Sequence, residues 1–357
     1  MRGQDARATI ETDFRRGLRT RIHLLAAALL GVLVAAPLRG AEGARIKLAT
    51  LAPRDSSFHK SLLAMGDKWK QASGGAVTLT VYPDGTQGGE ADMVRRMRVG
   101  QLQAAMLTVP GLTQIEDSVA ALQLMPMMFR SFEEFDFVLA RLRPGLEKKF
   151  LDKGFVVLFW GDAGWVRFFS KQPGLVPDDY RKMKVFVWSG DTRSAEIYKG
   201  LGFNAVPLEQ TDILAGLQTG LVDSVTSIPF YALSSQFFGP APHMLEVNWV
   251  PLVGATVITK KAWDGTPAAA RTAMLKAAAE AGNAIKQRSR VESDESVEAM
   301  KKRGLKLHAP TPEALIAWQK LGEETYPRIR GKIVPAEMFD EVQRLVKEYR
   351  AGVGAAK

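Results

Sequence analysis

The stretch Trp160–Ser170 places one arginine, Arg167, among tryptophan, valine and phenylalanine residues. A guanidinium in such apolar surroundings needs a partner, because an unpaired charge is costly to bury. The partner would be an anionic group of a ligand or, alternatively, a carboxylate of the chain itself, for instance Asp162 or Asp191. The stretch therefore indicates either an anion-binding site or a structural ion pair.

Three aromatic residues, Trp165, Phe186 and Trp188, could form a wall for a ligand close to this arginine. Aromatic side chains on strands are equally compatible with a hydrophobic core, where their large apolar area is buried. Taken alone, each of the three fits a binding site as well as it fits the core.

Signatures of catalysis are scarce in this sequence. It has no Gly-x-Ser-x-Gly elbow, no phosphate-binding lysine loop and no His-Glu-x-x-His pair. Cysteine is absent, and His59, His243 and His308 are far apart in the sequence, without the spacing of metal ligands. The run 200–205 fits a dinucleotide-binding pattern, but it lies between a predicted helix and the following strand, and the fingerprint requires the opposite order. We expect no enzyme, no cofactor and no metal.

Length and composition favour a globular protein with room for two domains. The chain has 357 residues, of which 46% are hydrophobic and 24% charged. The formal net charge is +10, and residues 1–44, with seven Lys/Arg and four Asp/Glu, account for +3 of it. The remaining basic residues are interspersed with acidic ones, so we expect a solvated basic surface and no nucleic-acid partner.

The first 44 residues have the pattern of an export signal. Arg15, Arg16, Arg19 and Arg21 precede the apolar run Leu24–Ala36, which at 13 residues is too short to span a membrane. Pro37 and small residues follow, and cleavage is expected near Ala41. The alternative is an uncleaved membrane anchor. The signal interpretation predicts a periplasmic protein.

Two later segments repeat one order of elements, strand, helix, strand, helix, strand. The predicted strands are Arg45–Leu51, Val77–Tyr82 and Leu102–Val109 in the first pass, and Val185–Trp188, Asn204–Leu208 and Val222–Ile228 in the second. Two such passes predict an α/β protein with two lobes, each with a mainly parallel sheet. Ligands of such sheets bind beyond the carboxyl ends of the strands, so two facing lobes would enclose a cleft that closes on a small solute.

A long helix is predicted to connect the lobes. It runs from Pro267 to about Arg303 and, at 1.5 Å per residue, would be about 50 Å long. We expect lobe 1 to comprise residues 45–165 plus about 255–285, and lobe 2 to comprise residues 166–254 plus about 286–357.

Beyond these patterns, the chain resembles the DctP-like periplasmic substrate-binding proteins of tripartite ATP-independent periplasmic (TRAP) transporters. The resemblance covers nearly all of residues 45–350 and depends on the order and spacing of four motifs. They are IKLAT at 46–50, VYPDGTQGGEADMVRRMRVGQL at 81–102, VRFFSKQPGLVPDDYRKMKVFV at 166–187 and LGFNAVPLEQTDILAGLQTGLVDSV at 201–225.

The resemblance implies a two-lobe periplasmic binding protein type II fold, an organic acid held between the lobes, and delivery to small and large membrane permease subunits driven by sodium. Family members commonly hold the ligand carboxylate with an arginine on the strand where this chain has Phe186, and with a second arginine that matches Arg167. Residues 226–229 also depart from the family pattern. An apolar or aromatic acid therefore fits the residues better than a dicarboxylate, and Arg54 and Arg193 are possible substitutes for the missing arginine.

The predicted function is capture of a small organic acid and its transfer to a TRAP permease. The predicted ligand-binding residues are Arg54, Thr108, Trp165, Arg167, Phe186, Trp188, Gln210 and Ser227. Arg167 would supply charge, the aromatic residues stacking, and the remaining polar side chains hydrogen bonds. Two alternatives are an extracytoplasmic sensor module that signals to a membrane partner, and a periplasmic enzyme that uses Asp162 and Asp191 as its carboxylates.

Overall fold

Two sets of three parallel strands lie at opposite ends of one hydrogen-bonded sheet. The computed structural model describes residues 43–355. The first set comprises β1 (Ala44–Thr50), β2 (Val77–Tyr82) and β3 (Ala104–Thr108), and the second comprises β5 (Lys184–Trp188), β6 (Asn204–Leu208) and β7 (Ser224–Ser227). The first strand of each set lies between the other two, in the orders β2-β1-β3 and β6-β5-β7. This shared order confirms the predicted repeat.

Two long antiparallel strands join the sets. They are β4 (Phe155–Ser170) and β8 (His243–Thr259), with 16 and 17 residues. β8 pairs with β3 in the first half of the molecule, and β4 pairs with β7 in the second half. Both strands are rich in aromatic and β-branched residues, which fit a buried, pleated surface. The short β9 (Lys306–His308) adds to the second half beside β8.

The expectation of a separate sheet in each lobe needs correction. Because β4 and β8 pair along most of their length, the two halves share one ladder. The ladder is interrupted where the chain passes from one half to the other, since Asp162 lies opposite Val253 but Trp165 lies opposite Pro251. Such a bulge increases twist and bends the strand. Gly164, at φ +106°, provides the backbone conformation that this bend requires.

Twelve helices and two short 3₁₀ turns, at Asp117–Leu122 and Gln210–Asp212, surround the described sheet. The helices are α1 (Ser57–Ala72), α2 (Glu90–Arg98), α3 (Val109–Leu112), α4 (Phe132–Asp152), α5 (Pro177–Arg181), α6 (Thr192–Gly200), α7 (Ile213–Thr219), α8 (Pro229–Ser234), α9 (Lys260–Asp264), α10 (Ala268–Lys301), α11 (Pro312–Ile329) and α12 (Ala336–Ala355). The side chain of Ser56 caps α1 by accepting a hydrogen bond from the His59 amide, and Thr311 caps α11 in the same way.

Helix α10 is the predicted connecting helix. At 34 residues it is about 50 Å long. Its first part, with Met274 and Ile285, packs in the apolar core of the first half, and its last part, with Val297 and Met300, packs in that of the second half. A third core covers the other face of the sheet along both halves, so that β4 and β8 are buried from two sides. The helix therefore lies across both halves, as the sequence predicts.

The predicted signal segment lies almost entirely outside the described residues. Ala44, the last residue of the predicted signal segment, belongs to β1 and pairs with Val77. No helix within residues 43–355 combines the length and apolar character needed to cross a membrane.

Two helical glycines provide a matched test of this packing. A Cβ on Gly282 of α10 would lie 2.7 Å from Cβ of Phe159, whereas a Cβ on Gly145 of α4 would meet nothing within 4 Å. We expect Gly282→Ala to lower the free energy of unfolding by about 1–3 kcal/mol through overpacking. We expect Gly145→Ala to raise it by about 0.4–1 kcal/mol, because alanine restricts the unfolded chain. Urea denaturation at 25 °C measures both values, and equal effects of the two substitutions would contradict the packing described for α10.

Candidate functional site

A cavity of about 320 Å³ lies where the parallel strands of both halves end. Its lining includes the last residues of four of them, namely Thr50, Thr108, Trp188 and Ser227. This is the edge at which α/β sheets bind ligands. The volume is at the lower end of the range for small-molecule pockets.

The walls of the cavity are mostly apolar and come from both halves. Phe58 of α1 and Phe230 of α8 meet across it, with ring centroids 5.8 Å apart. Phe186 and Trp188 of β5 supply a second aromatic surface. Polar atoms of the lining come from hydroxyl and amide side chains, among them Gln123, Ser194, Gln210, Thr226 and Tyr231.

The charged side chains that line the cavity, within the described part of the chain, are Glu90, Asp162 and Asp191. All three are acidic, and their exposed fractions are 2%, 3% and 9%. The site is therefore an apolar cleft with buried carboxyl groups, rather than the cationic pocket that a dicarboxylate would require.

Glu90 begins α2 and holds the neighbouring backbone in place. Its carboxyl group accepts hydrogen bonds from the Thr108 amide at 2.7 Å, the Thr108 hydroxyl at 2.8 Å and the Gly111 amide at 2.9 Å. A Cβ on residue 111 would lie 2.7 Å from Glu90, so glycine is needed there. Burial raises the pKa of Glu90 to about 7 against the effect of these bonds, and the charge of Asp191 adds to the rise.

Asp191 enters the cavity from the second half. It caps α6 by accepting hydrogen bonds from the Ser194 amide at 3.0 Å and the Ser194 hydroxyl at 2.5 Å. Burial raises the pKa of Asp191, and the two bonds from Ser194 oppose that rise. Asp191 and Glu90 therefore line the same cavity from the two halves.

Asp162 differs from the other two because a cation compensates it. Arg290 of α10 lies 2.9 Å from its Oδ2 and also holds both carboxylate oxygens of Asp136 at 3.0 Å. The guanidinium carbon of Arg290 lies 4.2 Å from the ring centroid of Phe132. These contacts tie α4 and α10 to β4 at the point where it passes between the halves.

Five of the eight predicted site residues line the cavity. They are Thr108, Phe186, Trp188, Gln210 and Ser227. The other three, Arg54, Trp165 and Arg167, have their contacts elsewhere. The ring of Trp165 packs on Phe132 with centroids 4.8 Å apart, and Arg54 forms a 3.6 Å ion pair with Asp84. Neither Trp165 nor Arg54 is part of the cavity lining in this structure.

Arg167 has a carboxylate partner, but not one of those predicted. Its Nη1 lies 3.7 Å from Glu246, whereas Asp162 binds Arg290 and Asp191 caps α6. The pairing is incomplete, because Nε is buried and has no hydrogen-bond partner among residues 43–355. Burial lowers the pKa of the guanidinium, and the charges of Glu246 and Asp294 only partly oppose this.

Arg167 nevertheless adjoins the cavity. Its neighbour Val166 is part of the lining, and Arg167 pairs across the sheet with Ser227, which is also part of it. Side chains directly opposite on antiparallel strands lie about 5 Å apart. The alternative cation, Arg193, pairs with Asp117 at 2.5 Å and donates to the carbonyl oxygen of Ile333.

Glu90 and the aromatic pair of Phe58 and Phe230 were not predicted from the sequence as site residues. Glu90 follows the Gly88-Gly89 turn beyond β2, a strand-end position of the kind that predicts ligand contact. Two histidines that are far apart in the sequence also meet, with His243 Nδ1 2.8 Å from His308 Nε2. Within the described residues, no group of three acidic or histidine side chains is arranged to hold a metal ion.

Known proteins are similar to this chain in sequence and in architecture. A family model described as DctP, bacterial extracellular solute-binding protein, family 7, matches residues 48–332. The C4-dicarboxylate-binding periplasmic protein DctP of Rhodobacter capsulatus is 25% identical over 295 residues, which cover 79% of this chain and 85% of the relative. The 2,3-diketo-L-gulonate-binding periplasmic protein YiaO of Escherichia coli is 22% identical over 255 residues, 70% of this chain and 76% of the relative.

Solved structures share the fold. A TRAP periplasmic solute-binding protein of Sulfurospirillum deleyianum with bound succinate matches with a TM-score of 0.77 and 22% identity, over 84% of this chain and 98% of that one. One from Chromohalobacter salexigens with bound D-glucuronate matches with a TM-score of 0.78 and 19% identity, over 85% and 99%. These similarities confirm the predicted α/β fold.

Protonation of Glu90 provides a test of this geometry. Because burial keeps its pKa near 7 in the folded chain, against 4.5 for an ordinary glutamate, the folded protein binds a proton that the unfolded chain has released. Its contribution to stability is therefore lost as the pH rises from about 5 to about 8, by roughly 3 kcal/mol at most. We expect Glu90→Gln to flatten this part of the stability curve, measured by urea denaturation at several pH values.

The exposed Glu324→Gln serves as the control for removal of one negative charge, and should leave the curve unchanged. Parallel curves for wild type and Glu90→Gln would show that Glu90 ionises normally.

Proposed function

Because the chain belongs to the DctP family of bacterial extracellular solute-binding proteins, we propose that it captures a small organic acid in the periplasm and delivers it to the membrane subunits of a TRAP transporter. The observation that carries the proposal is the cavity at the strand ends, whose walls come from both halves of the sheet. A periplasmic location and an export signal within residues 1–44 belong to the proposal.

Relatives support an acid as the solute. Four structurally similar proteins were solved with succinate, D-glucuronate, β-D-galacturonate and L-gulonate bound, respectively. The cavity of this chain has a different character, because its lining is apolar and Phe186 occupies the position of the family's usual arginine. An acid with an apolar or aromatic body therefore suits it better than a dicarboxylate or a sugar acid.

We assign the carboxylate of this acid to Arg167. The guanidinium is mostly buried, with 16% of the side chain exposed, and its ion pair among the described residues is a loose one, 3.7 Å from Glu246. An anion on the cavity side would reach it past Val166 or Ser227 and supply the missing hydrogen-bond acceptor for Nε. A charge-assisted pair of this kind is among the strong polar contacts in proteins.

Closure of two lobes on the ligand remains part of the proposal. The boundary expected between residues 165 and 166 falls within β4, three residues after the register shift begins at Asp162. Lobe 1 would comprise residues 45–165 plus about 255–285, and lobe 2 the rest. The bulge and Gly164 provide a bending point there.

Neither alternative to transport is favoured. The matched family consists of solute-binding proteins rather than enzymes. The two carboxylates considered for catalysis have structural partners, Arg290 for Asp162 and Ser194 for Asp191. No observation favours a sensor module over a transport protein.

The proposal predicts that purified protein is stabilised thermally by organic acids, and that mass spectrometry of the denatured protein identifies a co-purified acid. Arg167→Ala should weaken binding of the best acid about 30-fold or more, since truncating one partner of a buried charge pair costs about 2–5 kcal/mol. Isothermal titration calorimetry measures the change.

Two controls isolate the role of Arg167. Arg344→Ala removes an exposed arginine and should leave the affinity unchanged. Glu246→Gln releases Arg167 from its partner and should preserve or strengthen binding. Wild-type affinity in Arg167→Ala would exclude Arg167 from the site, and a protein that binds no acid would overturn the proposed function.

A further inference from the structure

The two uncompensated carboxyl groups of the cleft come from opposite halves. Glu90 starts α2 in the first half and Asp191 caps α6 in the second, and both line the same cavity. Neither forms an ion pair within residues 43–355, whereas the third carboxylate of the lining, Asp162, binds Arg290. The nearby Arg193 is engaged by Asp117. No cationic side chain among the described residues therefore neutralises this end of the cleft through an ion pair.

Both groups retain capacity for a further hydrogen bond. A carboxylate offers about four acceptor positions. Glu90 uses three of them, for Thr108 and Gly111, and Asp191 uses two, both for Ser194. Where both groups are ionised, a ligand group that lies between the two would meet acceptors on both sides.

This end of the cleft is separate from the end near Arg167. Arg167 and its partner Ser227 face the same side of the sheet as Phe169 and Val225, which belong to the core under α7, α8 and the end of α10. Glu90 begins α2 and Asp191 caps α6, and Met93 of α2 and Tyr198 of α6 belong to the core on the opposite face of the sheet. Arg167 thus lies towards one face of the sheet, and the two carboxyl groups lie towards the other.

We propose that the cleft selects an organic acid whose far end carries a hydrogen-bond donor, a hydroxyl or an ammonium group, which Glu90 and Asp191 accept from opposite halves. The same pair rejects a second carboxylate. The inference rests on the proposed function, because it assumes that the acid group lies near Arg167. It gives these two carboxyl groups two roles. They select the solute, and by binding one donor from both sides they link the two halves.

Physical chemistry sets the expected size of the effect. A carboxylate placed against two buried carboxyl groups loses its hydration and gains no donor, and juxtaposed like charges at an interface cost several kcal/mol. A site built to bond a polar group also discriminates strongly against analogues that lack it. We expect a donor-bearing acid to bind at least about 100-fold more tightly than the matched dicarboxylate.

Two matched probe series test this inference by calorimetry at pH 7.5. The aromatic series is phenylacetate with hydrogen, hydroxyl, aminomethyl or carboxylate at the para position, and the aliphatic series is hexanoate, 6-hydroxyhexanoate, 6-aminohexanoate and adipate. Within a series the acid end and the body are constant. The hydroxyl or ammonium member should bind most tightly and the dicarboxylate most weakly.

Isosteric variants assign the selectivity to the two residues. Asp191→Asn keeps the helix cap and offers an amide donor, so the preference for the donor-bearing acid over the dicarboxylate should fall about 10-fold or more. Glu90→Gln should act in the same direction. The exposed Glu324→Gln removes one negative charge outside the cavity and should leave the ratio unchanged.

The outcomes separate this inference from the proposed function. If succinate or adipate binds while no donor-bearing acid of either series does, or if the variants leave the ratio unchanged, the inference is wrong and solute binding stands. If no acid of any kind binds and none co-purifies, the proposed function fails and the inference fails with it.

Discussion

The pairing of β4 with β8 is the constraint on which the rest of the structure depends. These strands are the only described elements of the sheet that run through both halves, and each half attaches its three parallel strands to one of them. Because the parallel strands of both halves end towards the middle of the molecule, their carboxyl ends meet at one cavity. The site is therefore a consequence of how two long strands are shared, rather than of any local motif.

The same arrangement places several charged residues at the point where β4 passes from one half to the other. Asp162 is buried where β4 changes register, and its charge is acceptable there because Arg290 reaches it from α10 while also holding Asp136 of α4. Breaking such a buried pair is strongly unfavourable. The network thus links the bending point of β4 to the long helix that lies over both halves, and motion of one half relative to the other must accommodate it.

The polarity of the cleft limits the kinds of solute that fit it. In the described lining, carboxyl groups are present and cationic side chains are not. Arg167, which follows the lining residue Val166 in β4, keeps only a loose contact of 3.7 Å to Glu246. The proposed recognition of the solute accordingly depends on apolar contact and hydrogen-bond acceptors, with Arg167 as the proposed cation.

The sequence by itself determined the repeated strand and helix order, the long helix α10 and the family, since these depend on hydrophobic period, caps and spacing along the chain. It predicted Val77–Tyr82 and Asn204–Leu208 to the residue. Only the tertiary structure decided that the halves share one ladder, that Trp165 packs on Phe132, and that Glu90 and Asp191 line one cavity. The reason is that a period identifies which face of a strand is buried, whereas the partner of a buried charge can lie far away in the sequence, as Arg290 lies 128 residues after Asp162.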